Sequence, residues 1–104
     1  MKTITQLKQE TIDHYNRMGK WVLTQPQEED PKEYIMFAAI GEAWFGEDCP
    51  FCGYFRVCSK CPIEKAGLHK EWVELNHSKT WTEWVIQKRR MIHLLITKVE
   101  DGEL

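Results

Sequence analysis

Residues 49–62 read CPFCGYFRVCSKCP and contain all four cysteines of the chain. Cys49 and Cys52 form one C-x2-C pair, and Cys58 and Cys61 form a second pair, with five residues between the pairs. Two residues between thiolates allow a tight turn that directs both sulfurs to one centre, and two such pairs supply the four sulfurs of a closed tetrahedral zinc site. The spacing therefore predicts a zinc ion bound by these four cysteines.

The first pair has the form Cys-Pro-x-Cys-Gly, which is typical of a zinc knuckle. Gly53 follows its second cysteine and tolerates the positive φ that such a turn often needs. A zinc ion held by four thiolates has no open position for a water nucleophile, so the predicted role is structural rather than catalytic. An iron–sulfur cluster also takes four thiolates, and Cys49 with Cys52 alone could form a redox pair. The usual cysteine spacings of iron–sulfur proteins differ from this one, although spacing alone does not decide between zinc and iron. A redox pair would leave the second C-x2-C pair unexplained.

Toward the N terminus, two helices are predicted. Residues 4–18 repeat apolar side chains at steps of three and four, with Thr3 and Gln6 at capping-box spacing before them and Gly19 placed to end the helix. The second helix should begin at Asp30 and Pro31 and run to about Phe45. Ten of the twelve residues 34–45 are apolar, which predicts a helix buried on nearly every side in the middle of the fold.

Toward the C terminus, Pro62 can start a helix that ends near Asn76. Thr80 and Glu83 have capping-box spacing and precede a last helix over about residues 81–100. Its apolar stripe includes Ile96, with Lys88 inside the stripe and its head group in solvent. The fold class expected for residues 1–104 is mainly α. It is a small single-domain bundle of about four helices, with a structural zinc-knuckle loop between helices two and three.

Composition and charge limit the function classes. The chain is 42% hydrophobic and 29% charged with a net charge of −2, so no strong overall field attracts nucleic acid or an anionic membrane. Residues 1–52 carry five basic and nine acidic side chains, whereas residues 53–104 carry nine and seven. The longest apolar run is shorter than the roughly 17–25 residues of a membrane helix, and the N terminus does not read as a signal peptide. We therefore expect a cytoplasmic protein that does not enter membranes.

Partner contacts are predicted on two segments. Ile86 and Leu94 project away from the apolar stripe of the last helix and form a candidate contact surface for a protein. Arg56 and Lys60 lie in the cysteine loop and could orient such a partner. The same loop supports an alternative function, a nucleic-acid-binding zinc module.

Other titratable residues offer little chemistry. The four histidines have no metal or catalytic spacing, although His69, eight residues beyond Cys61, could replace a cysteine as ligand. Glu42 stands alone in an apolar segment, and a single carboxylate makes no acid/base pair. We expect it to be paired with a cation or to lie at a helix end, and we expect no enzyme activity.

The sequence resembles small, mostly uncharacterised bacteriophage-encoded proteins with a compact four-cysteine motif. The resemblance is carried by the CPFC stretch, by the following CSKCPI stretch, and by Trp81 with Trp84 before the helical C-terminal segment. The resemblance covers roughly residues 44–99. The sequence departs from that group because it lacks a further cysteine soon after the fourth, so no fifth ligand is implied. The resemblance implies a phage accessory protein with structural zinc in the cytoplasm of the infected bacterium. From all these observations we expect it to act by binding, and so inhibiting or modulating, a host or phage protein.

Overall fold

The computed structural model describes residues 2–44, 49–55 and 61–102. These residues form six helices and no strand: α1 (Ile4–Val22), α2 (Glu33–Ile40), α3 (Pro50–Phe55), α4 (Pro62–Lys65), α5 (His69–Asn76) and α6 (Trp81–Lys98). The predicted mainly α class is confirmed. The number of helices exceeds the predicted four because the first cysteine pair has a helix of its own and because the predicted third helix is divided in two.

Helix α1 begins where its cap predicts and ends later than predicted. The Gln6 backbone N–H donates to Thr3 Oγ1 at 3.1 Å, and the Thr3 N–H donates to Gln6 Oε1 at 2.8 Å. Gly19 does not end the helix. It is buried within α1 and faces Lys88 of α6, whose Cε would lie 3.0 Å from a Cβ added at this glycine. Its missing side chain therefore leaves room for the end of the Lys88 side chain rather than serving a turn.

Helix α2 is shorter than predicted. Its N-cap is Lys32, which makes no side-chain cap, so Asp30 and Pro31 precede the helix instead of starting it. Gly41 ends the helix because it adopts the left-handed conformation, at φ 69°. Its N–H donates to Phe37 O at 2.8 Å. The predicted end at Phe45 lies outside the described residues.

The predicted burial of the second helix is wrong. Met36 is the one buried residue within α2, and the large apolar side chains around it are mostly exposed to solvent. An eight-residue helix that packs on one side has room for only about two inward-facing side chains. The rest of its apolar surface remains in water.

A turn at Gly67 separates α4 from α5. Gly67 has φ 74°, and its N–H donates to Glu64 O at 2.9 Å while the Leu68 N–H donates to Ile63 O at 3.0 Å. Helix α6 begins at the predicted residue, and the Glu83 N–H donates to the Thr80 hydroxyl at 3.1 Å. It ends at Lys98, close to the predicted position.

The core lies between α1 and α6, with α5 packed on α6 and with α2 and α3 packed on α1. Its aromatic centre is a cluster of Trp44, Trp81 and Trp84, whose rings meet edge to face at centroid distances of 5.6–6.3 Å. With Trp72, four of the five tryptophans of the chain are buried. Ile96, predicted on the buried stripe of α6, is instead 52% exposed.

The two ends of the described chain lie side by side. The Ile4 N–H donates to Gly102 O at 2.8 Å, and the buried ammonium of Lys8 donates to Val99 O at 2.6 Å. The start of α1 is thereby tied to the residues that follow α6. Among residues 2–44, 49–55 and 61–102, no helix combines the length and apolar character needed to span a membrane.

Candidate metal centre and apolar surface

The first cysteine pair lies on a helical turn rather than on the predicted knuckle turn. Cys49 directly precedes α3 and Cys52 belongs to it, and the Gly53 N–H donates to Cys49 O at 2.9 Å, as in a helix. Gly53 therefore needs no positive φ. The proline after Cys49 occupies the first helical position, where its missing N–H has no cost.

The second pair is represented by Cys61, which is the N-cap of α4. Cys49, Cys52 and Cys61 line one cavity of about 60 Å³. Ile63 and Trp72 supply apolar walls to this cavity. Three of the four predicted ligands thus line one cavity, although eight residues lie between Cys52 and Cys61 in the chain. Cys58, the fourth, lies outside the described residues.

Burial controls the chemistry of Cys49. It raises the pKa of this thiol to about 11, and the backbone N–H groups of Phe51 and Cys52 only partly oppose the shift. The buried indole N–H of Trp72 makes no hydrogen bond of regular geometry, yet it lies near enough to the sulfur to favour the thiolate slightly. A bound divalent cation would supply the charge that deprotonates such a thiol.

The cysteines fit zinc in chemical type, but their described positions do not enclose an ion. Within the described part of the chain, no three His, Cys, Asp or Glu side chains are grouped closely enough to hold a metal. Three sulfurs around an apolar-walled cavity are nevertheless the soft ligands that zinc accepts. The predicted zinc site therefore stays a prediction that these three cysteines support.

The predicted contact residues have different outcomes. Ile86 is 62% exposed, as predicted. Leu94 is only partly exposed and packs against the core, so the expectation that it projects into solvent is wrong. Arg56 and Lys60 lie outside the described residues, and the alternative of a nucleic-acid-binding loop stays a prediction.

The sequence analysis missed an apolar surface on α2, which we name the α2 surface and define as Tyr34, Ile35 and Phe37. Tyr34 is 69% exposed and Phe37 is 57% exposed, while Ile35 is 41% exposed. A helix that is apolar all round reads as buried, which is why this surface was missed. The signal available in the sequence was Gly41, a residue type that commonly ends helices and that divides the apolar run here.

An acidic loop borders the α2 surface. A cavity of about 220 Å³ adjoins Ile35 and is lined by Gln25, Glu29, Asp30, Lys32, Ile35 and Trp81. The loop is held in place by its backbone, because the Trp81 N–H donates to Glu29 O at 3.0 Å and the Thr82 N–H donates to Gln27 O at 3.1 Å. These backbone hydrogen bonds to the start of α6 therefore hold the carboxylates of the loop beside the α2 surface.

Glu42 is paired, as predicted. It accepts a hydrogen bond from Arg17 Nε at 2.7 Å and lies 3.4 Å from His14 Nδ1. Burial alone would raise the pKa of Glu42, but the hydrogen bonds and the charge interactions with Arg17 and His14 together lower it. This carboxylate joins α1 to the segment after α2.

Comparison of the chain with protein-family models, with curated proteins and with solved structures gives no match.

Proposed function

We propose that this protein is a non-enzymatic accessory protein that binds a protein partner through the α2 surface, in a phage-infected bacterium where the partner is a host or phage protein. The supporting observation is the concentration of exposed apolar side chains. Among the described residues, three of the eight exposed large hydrophobic side chains belong to the four consecutive residues 34–37. This surface replaces Ile86 and Leu94 as the main candidate for contact.

The energetic argument rests on side-chain type. Taking a large apolar side chain out of water stabilises a complex by up to about 1.5–3 kcal/mol. Aromatic residues such as Tyr34 and Phe37 are also enriched among residues that dominate binding energy. Tyr34 and Phe37 lie one helical turn apart and are therefore neighbours on the helix surface. Two adjacent exposed aromatic rings are a better contact surface than single apolar residues scattered over a monomer.

Charge indicates the chemistry of the partner. Glu28, Glu29 and Asp30 are exposed, and Pro31 and Lys32 separate them from the start of α2. A partner segment that carries Lys or Arg beside apolar residues would satisfy both the carboxylates and the α2 surface. If a second copy bound to this surface around a two-fold axis, the acidic loops of the two copies would lie close together. Repulsion between their like charges disfavours self-association there.

Site-specific photo-crosslinking tests the proposal. A photoreactive phenylalanine analogue replaces Phe37 in one variant and Ile96 in the other, because both side chains are about equally exposed. In bacterial cells producing each variant, we expect one protein to be crosslinked at position 37 and not at position 96. That protein should carry a basic, apolar segment at the crosslinked site, and replacing Glu29 and Asp30 by Gln and Asn should reduce its yield.

Equal yields at positions 37 and 96 would overturn the proposal. Crosslinks at position 37 that join only two copies of this chain would also overturn it, and they would assign the α2 surface to self-association.

We also propose that the two C-x2-C pairs hold a structural zinc ion, with Cys49, Cys52 and Cys61 as three of its ligands. Apparent binding free energies of about 10–16 kcal/mol for structural zinc match or exceed the stability of a typical small domain. We expect about one zinc ion per chain in freshly purified protein and loss of zinc in Cys49→Ser. Less than about half an equivalent of metal in the unmodified protein would contradict this part of the proposal.

A further inference from the structure

The cavity beside the α2 surface has a charged and aromatic lining. Glu29, Asp30 and Lys32 line it together with Ile35 and Trp81, and its volume is about 220 Å³. This volume far exceeds the roughly 10–15 Å³ that one water molecule needs, so the cavity has room for the head group of a side chain. Two carboxylates against one ammonium give the lining a net negative charge. The cavity therefore favours a cation.

The two carboxylates are available to a ligand. Within the part of the chain that the structure describes, neither Glu29 nor Asp30 makes a side-chain hydrogen bond or an ion pair, and both side chains are exposed. The backbone that carries them is held in place, because the Glu29 N–H donates to Pro26 O at 3.1 Å and Glu29 O accepts from the Trp81 N–H at 3.0 Å. A ligand that binds here does not have to order the loop, which lowers the entropic cost of binding.

The cavity is continuous with the α2 surface around the axis of α2. Successive residues of a helix are about 100° apart, so Ala38 falls between Ile35 and Tyr34. Phe37 follows on the far side of Tyr34. These four residues are exposed, whereas Met36 on the opposite side of the helix is buried. One partner segment can therefore cover Tyr34 and Phe37 and place a cationic side chain in the cavity beside Ile35.

We propose that this cavity receives an arginine side chain of the protein partner, next to the apolar residues that cover the α2 surface. The inference rests on the proposed function and deepens it, because it names the side chain that anchors the partner. A guanidinium is less strongly hydrated than an ammonium, so it loses less when it leaves water. It also pairs with carboxylates through parallel N–H groups and is attracted to indole rings. Glu29, Asp30 and Trp81 offer these groups at the cavity.

A titration with small probes tests the cavity without the partner. N-acetyl-arginine amide is added to the isotope-labelled full chain and followed by NMR, and N-acetyl-citrulline amide, its neutral counterpart, is added to a second sample. We expect the arginine probe to shift the signals of the Glu29 and Asp30 amides and of the Trp81 indole N–H, with a Kd on the order of 10 mM. The citrulline probe should leave them unchanged, and N-acetyl-lysine amide should bind about threefold more weakly than the arginine probe.

Variants of the loop locate the site, with the Trp81 indole signal as the readout. Glu29→Gln and Asp30→Asn should each weaken binding of the arginine probe about fivefold, whereas Lys32→Gln should strengthen it about twofold because a like charge is removed. Glu28→Gln is the matched control, because Glu28 is an exposed glutamate of the same loop that does not line the cavity. The same spectra report whether each variant is folded, and if one is not, the comparison of arginine with citrulline in the unmodified protein decides.

No shift of these signals, or equal shifts with arginine and citrulline, would overturn the assignment of the cavity. Equal affinity for the arginine and lysine probes would overturn the choice of arginine, and so would a partner crosslinked at position 37 whose contacting segment contains no arginine. Each of these results leaves the proposed function intact, because the crosslinking at position 37 decides it separately. Equal crosslinking at positions 37 and 96 would instead overturn the proposed function, and with it this assignment.

Discussion

Helices α6 and α2 are both rich in apolar residues, yet they are placed differently. In α6 the buried residues Trp81, Trp84, Val85, Met91 and Leu95 recur at helical spacing with polar residues between them. In α2 apolar residues follow one another without interruption, and one of its eight residues is buried. The comparison shows that spacing and length, not apolar content, decide how much of a helix is covered.

The largest expected effect is the loss of an aromatic side chain from α6. Trp84 is fully buried and meets Trp44 and Trp81 edge to face, so Trp84→Ala should lower the free energy of unfolding by about 3–5 kcal/mol. Phe37→Ala on α2 should change it by less than about 1 kcal/mol, because that ring is mostly in water. Chemical denaturation of both variants measures the two values, and a similar loss in both would mean that α2 is covered by its own chain.

A smaller, pH-dependent effect is expected where α5 meets α6. Glu71 is buried and accepts hydrogen bonds from Arg90 Nε at 2.9 Å and Gln87 Nε2 at 2.8 Å. The bond from Arg90, followed by that from Gln87, lowers the pKa of Glu71. The resulting stabilisation is complete above the ordinary pKa of glutamate and is lost as the pH falls through the lowered pKa.

Glu71→Gln should therefore lower the free energy of unfolding by about 1 kcal/mol near neutral pH, since Arg90 is largely exposed and the pair is screened. Denaturation at a series of pH values should show this difference shrinking on acidification. Glu74→Gln, an exposed glutamate on the same helix, is the control. A difference that does not depend on pH would assign the effect to packing.

The smallest effect is expected between α1 and α6. Gly19→Ala gains about 0.5–1 kcal/mol of helix propensity, but the new methyl group must displace Lys88 Cε and Nζ. These atoms are the flexible end of a side chain, so we expect a net change of less than about 1 kcal/mol. A thermal unfolding scan is sufficient, and a loss of several kcal/mol would show that Lys88 cannot move.

Local signals in the sequence predicted much of this fold. The caps at Thr3 and Thr80 and the stripe of α6 depend on hydrogen bonds and spacing within a few residues, so they can be predicted without tertiary information. The place of α2 depends on what packs against it, which no pattern within residues 33–40 contains. Gly19 was misread for the same reason, because its neighbour Lys88 lies in a distant part of the chain.

The candidate metal site was likewise predictable only where it depends on residues close together in the sequence. The spacing of the cysteines predicted that Cys49, Cys52 and Cys61 meet, and they line one cavity. His69, which the sequence offers as a substitute ligand, lines the same cavity, and its place there depends on the turn at Gly67. The helical conformation of the first pair was also not predicted, because C-x2-C spacing is compatible with a knuckle turn and with one turn of helix.

The hydrogen bond between Ile4 and Gly102 has a consequence for synthesis on the ribosome. Chains emerge from the N terminus at about 5–20 residues per second, so α1 appears several seconds before the residues that cover it. Helix α1 therefore emerges with its buried face uncovered, and that face stays uncovered until α6, its main packing partner, has also emerged and docked on it.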